Sequence, residues 1–95
     1  MREMVIVFPT ETKRQQEAEV AFRGALVEAR QGFRTRMAWG WWEGSAEECE
    51  EFVLSMEPWQ TVPWLALARA CLKQAHEKAI YYVDTTGEMH IDRLD

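Results

Sequence analysis

Ala46-Glu47-Glu48-Cys49-Glu50-Glu51-Phe52-Val53-Leu54-Ser55-Met56 is the stretch on which the fold turns. As a helix it would open on a capping box, Ser45 with Glu48. Cys49, Phe52, Val53 and Met56 would then fall at i, i+3, i+4 and i+7 on one face. As a strand it puts Phe52, Leu54 and Met56 on one face and Val53 on the other. Periodicity slightly favours the helix, but topology favours the strand. Phe33 to Trp42, just before it, sets Phe33, Thr35, Met37, Trp39 and Trp41 against Arg34, Arg36, Ala38, Gly40 and Trp42. An aromatic strand of that kind needs a partner, and Glu43-Gly44-Ser45 supplies the turn between the two.

Upstream, Met4 to Phe8 (MVIVF) is a short continuous apolar run stopped by Pro9, the pattern of a strand covered on both faces. Thr12 and Gln15 form a capping box. Ala18, Ala21, Phe22, Ala25, Leu26 and Ala29 recur at helical spacing, and Gly32 sits where a C′ glycine would, so a helix is predicted over 13–31. Downstream, Pro58 ends the ambiguous element, and Thr61-Val62-Pro63 starts a second helix whose stripe runs from Trp64 to Ala79. Ile80 to Val83 is β-prone, Thr85-Thr86-Gly87 turns, and Met89 and Ile91 alternate with Glu88, His90 and Asp92.

Strand, helix, hairpin, helix, strand predicts an α+β domain of the ferredoxin-like βαββαβ type. It has an antiparallel sheet, two helices on one face and the first strand in the middle. The 95 residues make one domain. Trp42-Glu43-Gly44, the acidic residues after it and Phe52-Val53-Leu54 resemble the central hairpin of the CutA family, trimeric ferredoxin-like proteins. The stretch Gln74 through Ala79-Ile80-Tyr81-Tyr82-Val83-Asp84 to Gly87 is similar to small ferredoxin-like proteins of phages and bacteria. These resemblances imply the fold and, for CutA, self-assembly; no functional residue is carried over from either.

Composition narrows the function. The chain is 47% hydrophobic with a net charge of −5, which argues against generic nucleic-acid binding, since phosphate contacts need clustered Lys and Arg. No run is long enough to span a bilayer, so no membrane association and a cytoplasmic location are expected. Cys49 and Cys71 are far apart, without a CxxC, and read as buried free thiols. No cofactor, metal or catalytic residue is predicted. His76 lies near a helix end, and His90 between Glu88 and Asp92 reads as a solvated strand face rather than a metal site. Glu43, Glu47, Glu48, Glu50, Glu51 and Glu57 read as a solvated hairpin edge. Trp39, Trp41 and Trp64 are assigned to the core.

Trp42 shares its face with Arg34 and Arg36, and Trp and Arg are enriched at binding hot spots, so these three are the predicted binding residues. With no helix left to cover the second face of the sheet, the expected function is a non-catalytic, homo-oligomeric binding or regulatory domain working through that face. The alternative is a small phage-type inhibitor that grips a host protein partner through its acidic, Trp-rich surface. An enzyme with its site at a subunit interface comes third.

Overall fold

A computed structural model describes residues 2–42 and 44–95, the Trp42 side chain excepted. The elements are β1 (Arg2–Pro9), α1 (Lys13–Glu28), β2 (Phe33–Trp42), β3 (Ser45–Met56), α2 (Thr61–Gln74), β4 (Ala79–Val83) and β5 (Met89–Arg93). A 3-10 turn over Pro58–Gln60 leads into α2. The segment that decides the fold is therefore a strand. Phe52, Leu54 and Met56 are buried in the core, as the alternation predicts.

The strands form one antiparallel sheet in the order β2-β3-β1-β4-β5. The first strand is central, as expected. The count is not: β4 and β5 pair as a hairpin, so the described residues form a sheet of five strands rather than four. The sequence carried that signal in Thr85-Thr86-Gly87, a turn between two β-prone segments. Gly87 there takes φ +90°, which favours glycine.

Met4, Ile6 and Phe8 of β1 and Phe52 and Leu54 of β3 meet Phe22, Leu26, Ala68 and Leu72 of the helices to form the core. Phe52 is the hub of an aromatic cluster. Its ring lies 5.3 Å from Phe8, 5.2 Å from Phe22 and 6.0 Å from Phe33, and the Arg23 guanidinium lies 5.5 Å from its centroid.

Trp64 packs edge-on against Phe22, but Trp39 and Trp41 are 68% and 75% exposed and belong to no core. They have the register of the helix-side face, yet β2 is an edge strand, and its distal half leaves both rings in water. Cys71 is only half-buried, whereas Cys49 is buried; both are free.

Helix α1 begins on the predicted capping box. The Gln15 N–H donates to Thr12 Oγ1, and Gln15 Oε1 accepts from the Thr12 N–H. It ends earlier than the sequence suggests. Ala29 is the C-cap, and Arg30, not Gly32, takes the left-handed position at φ 56°. The Gln31 N–H donates to Leu26 O and the Arg30 N–H to Val27 O, the paired bonds of a Schellman motif. Helix α2 closes the same way around His76 at φ 62°, with the Glu77 N–H donating to Leu72 O and the His76 N–H to Lys73 O. At the α1 end, local hydrogen bonding wins over the conformational ease of Gly32.

Candidate functional site

Alternation along the strands leaves a second sheet face opposite the helices. Val5 and Val7 of β1, Glu51 and Val53 of β3, Tyr81 and Val83 of β4, and Met89 and Ile91 of β5 share it by register. Arg34 and Arg36 also lie there, but each is already paired, Arg34 with Glu3 and Arg36 with Glu51. Exposed pairs of this kind contribute about 0–1 kcal/mol, so they shape the surface more than they stabilise it. Trp42 lies across from Ser45, six positions beyond Arg36 and thus roughly 20 Å along the strand. Its side chain lies outside the described residues. Arg34 and Arg36 share the open face by register.

A cleft of ≈ 400 Å³ opens on this face where the β2–β3 hairpin meets the start of β4. Val7, Pro9, Cys49, Ala79, Tyr81 and Val83 form much of its apolar lining, Trp39 and Trp41 border it, and Glu47, Glu51 and Glu77 bring carboxylates to it. The sequence alone did not place these together, because they come from four strands and the loop after α2.

Gln15 ties that end of the sheet together. Its side chain is almost wholly buried. The amide nitrogen donates to Glu47 Oε1 at 3.0 Å and to Glu77 Oε1, while the amide oxygen accepts from the backbone of Glu11 and Thr12, 2.9 Å each. One residue thus completes a helix cap and clamps β3 to the α2–β4 loop. Burial pushes the Glu77 carboxyl up; the Gln15 hydrogen bond opposes this and the Glu47 charge adds to it. Burial and then the Glu47 charge likewise raise the Cys49 thiol and the Tyr81 phenol. The acidic residues are therefore not simply a solvated edge. Glu47, Glu50 and Glu51 are half-buried, and Glu50 is held by Arg23 from α1.

His90 has different neighbours from those its sequence suggests. Asp92 turns to Arg69 of α2 at 2.8 Å and accepts from the Tyr82 hydroxyl at 3.2 Å. The His90 ring stacks on Tyr82 at 4.7 Å, and Nε2 lies 2.7 Å from Asp84 Oδ2. Asp84, Glu88 and His90 each bring a ligand atom within 4.8 Å of the others. Asp84 Oδ1 already accepts from the Thr86 N–H, the Thr86 hydroxyl and the Glu88 N–H. The cluster closes the β4–β5 turn.

Hydrogen bonds from Thr86 and His90 hold the Asp84 carboxyl well below the usual range, and the bond to Asp84 raises the His90 imidazole above its ordinary value. A proton held more firmly in the folded chain stabilises it fully below the unfolded imidazole value of about 6.5. That contribution fades as pH climbs through the folded value. NMR titration of His90 should therefore give a midpoint above about 6.5, and Asp84→Asn should bring it down. A midpoint unchanged by that substitution would show that the pair is not what sets it.

No helix among the described residues is long and apolar enough to cross a membrane. No family model matches the chain, and no curated protein matches it. Among solved structures, the de novo designed protein Ferredog-Diesel is similar at 15% identity, covering 96% of this chain and 82% of its own, with a TM-score of 0.40. That likeness is too distant to carry an argument about fold or function. The CutA and phage resemblances gain no support from these comparisons.

Proposed function

We propose that the chain is a ferredoxin-like domain extended by a fifth strand, and that it is a non-catalytic binding domain working through its open sheet face, paired with a second copy. The strand order β2-β3-β1-β4, with both helices on one face, supports the first part. The observation that carries the second is the uncovered apolar surface. Met89 is 69% exposed and Ile91 59% exposed, next to the half-buried Val5, Val7 and Val83. A face five strands wide spans roughly 20 Å. That is large enough for a standard interface of about 800 Å² per partner. Arg34–Glu3 and Arg36–Glu51 then form part of its polar rim. Burial and neighbouring carboxylates hold the Cys49 thiol protonated more firmly, which argues against that thiol as a nucleophile.

Light scattering at tens of micromolar should give a mass of two chains, and Ile91→Asp should return it to one with the circular dichroism spectrum unchanged. A wild-type mass of one chain at that concentration sinks the pairing.

A further inference from the structure

We propose that the cleft on the open face takes an organic cation with an apolar body, of the quaternary ammonium or phosphonium kind. This rests on the open face being a binding surface and adds the chemistry of what it binds. Val7, Val83 and Met89 belong to both the cleft and the pairing surface, so the cation and a second copy compete for them. The ≈ 400 Å³ of the cleft falls within the range of about 300–1,000 Å³ typical of small-molecule sites. Val7, Cys49, Tyr81 and Val83 offer an apolar floor that would exclude a strongly hydrated ion, and Trp39 and Trp41 stand at its border.

The charge at the cleft decides the sign of the ligand. Glu47, Glu51 and Glu77 reach it. Arg36 offsets Glu51, whereas among the described residues Glu47 and Glu77 share the neutral amide of Gln15. His76 and Lys78 also line the cleft and are exposed, and the Lys78 charge offsets part of this negative charge. The excess is negative, above an apolar floor. A bulky organic cation loses little hydration on entering an apolar space, so it combines with both features at low cost. An anion of the same shape meets two carboxylates against the single positive charge of Lys78.

The matched ions tetraphenylphosphonium and tetraphenylborate separate charge from apolarity. Titrated against the full chain and followed by tryptophan fluorescence, the phosphonium should bind saturably and at least about tenfold more tightly than the borate. The double variant Glu47→Gln with Glu77→Gln should erase most of that difference while its dichroism stays native. Glu57→Gln, on the chain beyond β3 and outside the cleft, should leave it in place. Equal binding of the two ions by the wild type overturns the charge selection yet leaves the open face as a binding surface. Failure of the phosphonium to saturate overturns the inference outright, and light scattering without either ion reports separately on pairing.

Discussion

Replacing Phe52 with alanine should destabilise the chain by about 3–5 kcal/mol. The side chain is wholly buried and touches rings from β1, α1 and β2, so no single neighbour can close the space it leaves. For a domain of this length each kcal/mol is about 4–8 °C in Tm. A thermal scan should thus show a loss well above about 10 °C, or a chain no longer folded at 37 °C. Trp41→Ala removes a larger side chain yet should change stability by no more than about 0.5 kcal/mol, because that ring is in water. A large loss on Trp41→Ala with a small one on Phe52→Ala would invert the assignment of the core.

Gln15→Ala should cost about 1–3 kcal/mol, more than an exposed capping residue would. It removes half of the α1 capping box and strips the half-buried Glu77 carboxyl of its hydrogen-bond donor. Gln15→Glu should be worse, since it swaps the bridging donor for a third carboxylate beside Glu47 and Glu77. Urea melts of the two variants test the order. If alanine and glutamate cost the same, and no more than about 0.5 kcal/mol, the clamp contributes nothing to stability.

Much of the architecture was legible because it depends on local patterning. Thr12 and Gln15 marked the α1 start, Thr61-Val62-Pro63 the α2 start, and the hairpin turn before Ser45 decided β3 against its own helical periodicity. What escaped depends on distance along the chain. Gln15 looks like a capping residue until Glu47 and Glu77, 32 and 62 positions away, are brought to it. Alternation put Trp39 and Trp41 on the helix side, but only the sheet order reveals that β2 lies at an edge. His90 has carboxylates two positions away on either side, yet its partner is Asp84, which the turn folds back onto it. The cleft had no local signature at all.

The central place of β1 has a consequence for how this chain is made. Its neighbours β3 and β4 come from residues 45–56 and 79–83, so β1 leaves the ribosome before either of them and waits longest to have both edges satisfied. The β2–β3 hairpin can pair early, through short loop closure, while the β1 strand waits with its apolar Met4, Ile6 and Phe8 unburied. Non-local pairing of that sort slows folding and leaves strand edges open to other chains in the meantime. Nascent chains halted before Ala79 should therefore be protease-sensitive throughout β1, and acquire protection there only once the β4–β5 hairpin has emerged.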